Sequence, residues 1–316
     1  MMNENKNVLI IGNFDGCHLG HKKLVDTAAS LALKGGFNTA ALTFYPNPKV
    51  LMGQLASGDQ LLHAGQKERA LRELGIDHVF LHPFSRAFMK MPALVFYEEI
   101  VKKMCLAAAV VVGTDFRFGY QREGSVATLS EFGSRDGIGV TAASTYAVAG
   151  EVVKSSLIRN LIKNKGDAAH AALLLGHLYA IEGRIVKGLQ NGRKIGIPTA
   201  NLGDVTQLLP KTGVYAGYVA WRERSEENNR FPLTRVDASS KPAVFNIGYR
   251  PSIAAGLQLT VEAHILSAGI QQDELYDKEA IYYFSHFIRD EMKFDSLDLL
   301  KTKIVEDILI AKKLLN

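Results

Sequence analysis

Asn7-Val8-Leu9-Ile10-Ile11-Gly12-Asn13-Phe14-Asp15-Gly16-Cys17-His18-Leu19-Gly20-His21 opens the ordered part of the pattern in this 316-residue chain. Val8 to Ile11 form an unbroken apolar run, as in a strand buried on both faces, and Gly12 ends it. Gly12, Gly16 and Gly20 let the backbone turn sharply and approach a ligand, while the run from Leu19 to Leu33 has helical spacing. His18 and His21 therefore stand three apart at a helix start, on one face. Unpaired N–H groups and the positive end of the helix dipole make such a start an anion site. Two imidazoles there add donors to a phosphate, or to the charge that develops on it during transfer. A His-x-x-His alone is more often an ordinary surface pair, and a metal site needs a third ligand that no other His/Cys cluster supplies. Strand, glycine turn, histidine pair and helix start coincide here, which favours the anion site.

The chain length predicts two domains, each with its own core. Apolar residues make up 47% and charged residues 22%, as in ordinary globular proteins. The longest apolar run, Met104 to Val112, is too short to span a bilayer, and the N-terminus lacks a basic-then-apolar signal pattern. No membrane association and a cytoplasmic location are expected. Cys17 and Cys105 belong to no Cys-x-x-Cys, which argues against a structural disulfide. The net charge of +5 favours anionic ligands weakly, and without a Lys/Arg block the expected partners are nucleotides rather than nucleic acid. A monomer or weak homo-oligomer is expected.

The first half alternates strand and helix signals. Gly35-Gly36 stops the first helix, and Phe37 to Phe44 reads as a second strand. A helix from Gln66 to Leu74 is closed by Gly75, a strand covers His78 to His82, and a helix spans Pro92 to Met104. Leu106 to Val112 is a further buried strand ending in Gly113. Such alternation predicts a parallel sheet covered by helices, with ligands at the carboxyl ends of the strands, where Gly12 and Gly113 lie. Two clusters follow. Gly113-Thr114-Asp115-Phe116-Arg117-Phe118-Gly119-Tyr120-Gln121-Arg122-Glu123-Gly124 is a glycine-punctuated loop with guanidiniums for phosphates and phenyl rings for an aromatic ligand, or else a mobile surface loop. Lys154-Ser155-Ser156-Leu157-Ile158-Arg159 opens a helix that a serine can cap. No Gly-x-x-x-x-Gly-Lys-Ser/Thr occurs, and no Gly-x-Gly-x-x-Gly follows a strand.

From Gly176 onward, after an Ala/Leu-rich helix over 167–175, strand signals appear without helices between them: Tyr179–Val186, Gly213–Trp221, Pro242–Ile247, Leu257–Leu266 and Ala280–Phe287. They predict a small antiparallel barrel. Arg222 to Lys241 reads as a solvated hairpin loop. Leu297, Leu300, Ile304, Ile308, Ala311 and Leu315 form one stripe of a tail helix that is expected to close the barrel's open side; for a coiled-coil dimer the stripe is under three heptads. Gly183, Gly188, Gly192 and Gly196 surround Arg184, Lys187, Arg193 and Lys194, either as a flexible loop or as a backbone nest for phosphates. Thr199 and Asn201, in Pro198-Thr199-Ala200-Asn201, are hard oxygen donors of the kind Mg²⁺ accepts beside nucleotide phosphates.

These motifs together resemble one family. Gly12 to His21 looks like the signature of the nucleotidyltransferase superfamily in the form found in prokaryotic bifunctional riboflavin kinase/FAD synthetases. The loops at Gly113 and Lys154 are similar to that family's Gly-x-Asp-Phe-x-Phe-Gly and Ser-Ser-Thr-x-Ile-Arg segments. Pro198 to Asn201 looks like its riboflavin kinase motif, and Thr260-Val261-Glu262-Ala263-His264, Asn246-Ile247-Gly248-Tyr249-Arg250-Pro251 and Arg289-Asp290-Glu291-Met292-Lys293-Phe294 resemble it as well. Asn47 stands where the family more often has His, Ser252 where Thr is usual and Asp277 where Gly is usual.

The resemblance implies an α/β nucleotidyltransferase (Rossmann-like) domain over 1–165 and a riboflavin-kinase β-barrel with C-terminal helix over 166–316. ATP, FMN and riboflavin would be substrates, with Mg²⁺. It implies catalytic roles for His18, His21 and Arg159 in adenylyl transfer and for Glu262 as base for the ribityl hydroxyl. It implies ATP or flavin contacts at Gly12, Asn13, Phe14, Asp15, Gly16, Asn47, Asp115, Phe116, Arg117, Arg122, Ser155 and Ser156, and in the second half at Gly183, Gly188, Gly192, Arg193, Gly196 and Arg289, with metal contacts at Thr199 and Asn201. The alternatives are an FMN adenylyltransferase with a silent barrel, a transferase acting on another phosphorylated substrate, and a non-catalytic flavin-responsive regulator.

Overall fold

The opening apolar run is strand β1 (Asn7–Ile11), buried along its whole length, and in the computed structural model it is the central strand of a five-stranded sheet. The structure describes residues 6–188, 192, 196–224, 231–252, 256–267, 269–270 and 272–316. The chain divides into two units, Met1–Ser155 and Ser156–Asn316.

In the first unit β2 (Asn38–Tyr45), β3 (His78–Pro83), β4 (Ala107–Gly113) and β5 (Gly139–Ala143) join β1 in the order β3-β2-β1-β4-β5, all parallel. The chain therefore winds outward through β2 and β3 and then returns to the other side of β1. The crevice between the carboxyl ends of β1 and β4 is the switch point at which such sheets bind ligands. Leu9, Ile11, Leu42, Val110 and Val112 face a core shared with Phe96, Tyr97, Ile100 and Leu129. Against the sheet packs α1 (Leu19–Gly35), which buries Val25, Ala28 and Ala32 and stops at Gly36 in the left-handed conformation. The helix expected over Pro92–Met104 is α-helical only at Ala93–Val95 and π-helical over Phe96–Met104. Two elements without an assigned sequence signal complete the unit: α3 (Val126–Asp136), capped by Ser125, and β5. Between β2 and β3 lies α2 (Ala64–Glu73).

The second unit begins with two short helices, α4 (Ser155–Asn160, which starts at the boundary) and α5 (Ala168–Leu175). Six antiparallel strands then form a closed barrel: β6 (Tyr179–Val186), β7 (Ala200–Gly203), β8 (Gly213–Arg222), β9 (Lys241–Ser252), β10 (Gly256–Ile265) and β11 (Glu279–Arg289), ordered β6-β7-β10-β9-β8-β11. Alternation sends Tyr215, Phe245, Tyr282 and Phe284 to one face, where their rings pack together at centroid distances of 5.0–5.4 Å. Val214, Ala216 and Val244 alternate with them and pack outside, against Ala311, Ile308 and Leu315 of α6 (Leu297–Leu315).

Three expectations are corrected. The barrel has six strands rather than five, because the short β7 at the end of the Pro-Thr-Ala-Asn segment shows no alternation of its own. The tail helix closes no open side: β6 and β11 pair directly, and α6 covers the outer face. The stretch from Arg222 to Lys241 is not simply solvated, since Phe231 and Leu233 are buried, Arg222 lies 3.8 Å over the Phe231 ring and pairs with Asp237, and Tyr283 donates to the Pro232 carbonyl.

One ion pair fastens α6 to the barrel. Arg289 at the end of β11 donates from Nε and Nη2 to the carboxylate of Asp307, which is 1% exposed. A bidentate pair satisfies both partners, but removing one strands the other. Asp307→Ala should lower the unfolding free energy of the barrel by about 3 kcal/mol. Denaturant titration of the full chain checks this.

Candidate active site

The turn after β1 is held in an unusual backbone. Phe14 (φ 48°), Gly16 (φ 92°) and Cys17 (φ 43°) all take left-handed conformations, which non-glycine residues hold only under strong constraint. Those constraints are visible. The Phe14 ring is wholly buried and lies edge-on to His21 at 5.1 Å. Asp15, 1% exposed, accepts from the Leu61 and Leu62 amides at 2.9 and 3.0 Å, and its carbonyl accepts from Ser155 Oγ at 2.8 Å. Thr43 Oγ1 donates to the Asn13 carbonyl.

His18 caps α1: its Nδ1 accepts from the His21 amide at 3.3 Å, which leaves the ring proton of the neutral form on Nε2. The two imidazoles stack with centroids 3.6 Å apart and planes 11° from parallel. Burial, then His18 and Lys67, hold the His21 pKa well below its ordinary value. His21 is thus a neutral group at pH 7, and its Nδ1 is buried with no partner among the described residues. Asn47, 1% exposed, spends its Oδ1 on the Lys49 amide and likewise buries Nδ2 without a partner. Each such atom is costly to leave unpaired and suits a site that completes itself on binding an anion.

Further round the sheet's carboxyl edge, Asp115, Arg117 and Arg122 are exposed, while Phe116 is half-buried and stacks on Phe118 at 5.5 Å. From Phe118 a chain of rings runs through Phe96 and Phe88 to Phe44, Phe84 and His82. The sequence reading does not nominate Phe44, His82, Phe84 or Phe88, which come from separate segments. Ser155 starts α4, and its hydroxyl reaches the Asp15 carbonyl; Ser156 is exposed, and Arg159 stands one turn further along that helix.

In the barrel, cross-strand register brings the polar residues together. Glu262 on β10 pairs with Asn201 on β7 and with Asn246 on β9. Thr199 Oγ1 donates to Glu262 Oε2 at 2.8 Å, and His264 Nδ1 lies 2.8 Å from the Pro198 carbonyl. Tyr282 donates from the barrel interior to the Ala200 carbonyl, so this segment is held from both sides. Thr199, Asn246, Glu262 and His264 line a cavity of about 620 Å³ whose other wall includes Leu300 and Ile304 of α6. Arg289 also lines it, its guanidinium engaged by Asp307.

The glycines have separate uses. Gly183 lies within β6, where a Cβ would stand 2.2 Å from the Gly203 carbonyl; at Gly188 a Cβ would press on the Asn201 amide at 2.4 Å. Gly192 accepts from the Ile197 amide in a turn containing Gly196 (φ 80°). Arg193 lies outside the described residues. Asp277, where the family usually has Gly, takes φ 69° and pairs with Arg184. No group of three or more His, Cys, Asp or Glu placed to hold a metal occurs among the described residues. Thr199 and Asn201 offer instead a hydroxyl and an amide oxygen, a sparse hard donor set that fits Mg²⁺ brought with nucleotide phosphates.

A paired-histidine turn at the switch point of a parallel sheet, joined to a barrel with a Thr–Glu pair at a cavity, defines a two-part nucleotide-using transferase. The FAD synthetase family pattern matches residues 1–157 and the riboflavin kinase pattern residues 175–315. The bifunctional riboflavin kinase/FMN adenylyltransferase of Escherichia coli (strain K12) is 34% identical over 306 residues, covering 97% of this chain and 92% of that protein. The protein of the same name from Pseudomonas fluorescens is 32% identical over 308 residues, covering 97% and 92%. A crystal structure described as a macrolide-efflux protein from Streptococcus pneumoniae superposes with a TM-score of 0.82 at 26% identity, over 97% of this chain and 94% of that one. Among the described residues no helix is long and apolar enough to cross a membrane. The chain belongs to the bifunctional riboflavin kinase/FMN adenylyltransferase family.

Because folded His21 resists a proton that the unfolded chain accepts near pH 6.5, stability should fall as pH drops below that value. His21→Asn should flatten this dependence, by at most about 1.4 kcal/mol per pH unit. Thermal unfolding between pH 7.5 and 5 checks both.

Proposed function

We propose that the chain makes FAD in two steps, phosphorylating riboflavin to FMN in the barrel and adenylylating FMN in the first unit, with the labour divided between residues 1–165 and 166–316. The observation that carries the reading is the Thr199–Glu262 hydrogen bond beside the barrel cavity. It places a carboxylate and a hard oxygen donor together where an apolar ring system can be enclosed. This favours an active kinase over a silent barrel.

In the barrel, Glu262 accepts the proton of the ribityl hydroxyl as it attacks the γ-phosphorus of ATP, and ADP leaves. Asn246 and Asn201 flank the carboxylate, and Gly188 leaves room for the Asn201 amide. Mg²⁺, held through Thr199 and Asn201, would neutralise charge on the phosphates. In the first unit an FMN phosphate oxygen attacks the α-phosphorus of ATP, and pyrophosphate leaves. The nucleophile is already an anion, so little proton transfer is needed, and His18, His21 and the α1 N-terminus act by positioning and charge stabilisation. Asn47 Nδ2 supplies a further donor. The half-buried rings of Phe116, Phe88 and Phe44 offer flat apolar surface to the isoalloxazine. ATP, riboflavin and FMN are the small-molecule substrates of this reading, with action in the cytoplasm as a monomer or weak homo-oligomer.

Two reactions with MgATP, one starting from riboflavin and one from FMN, test the proposal by chromatography of the products. Glu262→Gln should slow FMN formation by about 10²- to 10⁴-fold and leave FMN-to-FAD conversion at the wild-type rate. His18→Ala should do the reverse, slowing FAD formation by about 10²- to 10³-fold. No product from either substrate would overturn the reading.

A further inference from the structure

Lys67 is a lysine buried where the sequence shows no reason for one. It lies on α2, whose other charges form two pairs four residues apart, Glu68–Arg72 exposed and Arg69–Glu73 partly buried, yet Lys67 is 1% exposed. An ammonium is tolerated in such a place only with partners. Its Nζ donates to Asn13 Oδ1 at 2.8 Å, across 54 positions of chain. Burial lowers the Lys67 pKa, and the nearby Asp15 and Cys17 oppose that shift. All these neighbours belong to the turn after β1. An ammonium has donors and no acceptor, so it can engage only the amide oxygen of Asn13. The Asn13 NH₂ group is thereby turned to the other side, while Thr43 holds the same residue's carbonyl.

We propose that Lys67 is a positioning residue for adenylyl transfer: it fixes the Asn13 amide so that the NH₂ group donates to the phosphates bound at the turn. It also sets a positive charge beneath the backbone amides that face them. Helix α2 is thereby part of the nucleotide site although it carries none of the signature residues. The inference rests on the adenylyl-transfer reading of this turn, and wild-type conversion of FMN tests that reading separately.

The test is steady-state FMN adenylylation over a range of MgATP with the full-length wild type, Lys67→Met, Asn13→Asp, Asn13→Ala and the Asn13→Ala/Lys67→Met double variant. Riboflavin phosphorylation by the same preparations serves as the concentration reference. Lys67→Met should raise KM for ATP and lower kcat/KM by about 10²-fold. Asn13→Asp keeps the Lys67 contact as an ion pair but removes the NH₂ donor. It should therefore lose activity to a similar extent, with an unfolding temperature at or above that of the wild type. The double variant should fall within about threefold of Asn13→Ala, since the two residues act as a unit. Activity of Lys67→Met or Asn13→Asp within twofold of wild type would overturn the proposal. So would losses that multiply in the double variant, or a fall in kcat with KM unchanged.

Discussion

A strand buried on both faces has to leave its sheet abruptly, and the first unit is arranged around that exit. β1 delivers the chain to the switch point, where Phe14 and Cys17 accept left-handed backbone at a cost of about 1–3 kcal/mol each. The surroundings over-determine the turn: Phe14 anchors it from the core, Asp15 ties it to residues 61 and 62 and to Ser155, and Thr43 and Lys67 hold Asn13. The result is a set of donors fixed before any ligand arrives, which is the condition under which electrostatic stabilisation of a transferring phosphoryl group is strongest. The polar groups of the turn itself are satisfied inward, whereas two buried atoms beside it, His21 Nδ1 and Asn47 Nδ2, have no partner among the described residues.

The barrel reaches a comparable end by different means. Strand alternation places the aromatic residues inside and leaves Asn201, Asn246 and Glu262 in lateral register. No strained turn is required at these positions, because antiparallel pairing itself sets their spacing. The closed side of the cavity comes from a helix that is held by the Arg289–Asp307 pair and by apolar contacts of Ile308 and Ala311. One fold thus gathers its chemistry at the end of a strand, the other along strand flanks.

What was legible in the sequence follows the distance over which each feature is encoded. β1, the Gly36 stop and β6 are written in contiguous residues and stand where the pattern puts them, within a residue or two. The Pro-Thr-Ala-Asn segment stands out in the sequence as a motif but not as strand β7, because a four-residue strand carries no periodicity. Lys67 was invisible because polar helix positions do not announce which of them a distant turn will bury. The ring chain from Phe116 to His82 was invisible for the same reason, being assembled from the ends of three strands and the segments after them. Phe231 and Leu233 sit in a stretch whose overall polarity masks two core residues.

The closure of the barrel has a consequence for the order of events during synthesis. Tyr179 to Arg184 pair with Phe284 to Glu279, so the first barrel strand finds its second neighbour only when nearly the whole chain has emerged. The contacts of the first unit are made among residues already translated by then. Long-range ring closure of this kind is slow compared with local pairing. On the ribosome the first unit therefore has a head start of more than a hundred codons, and a message cut short before β11 yields a chain with one finished half and a ring that has no partner for its opening strand.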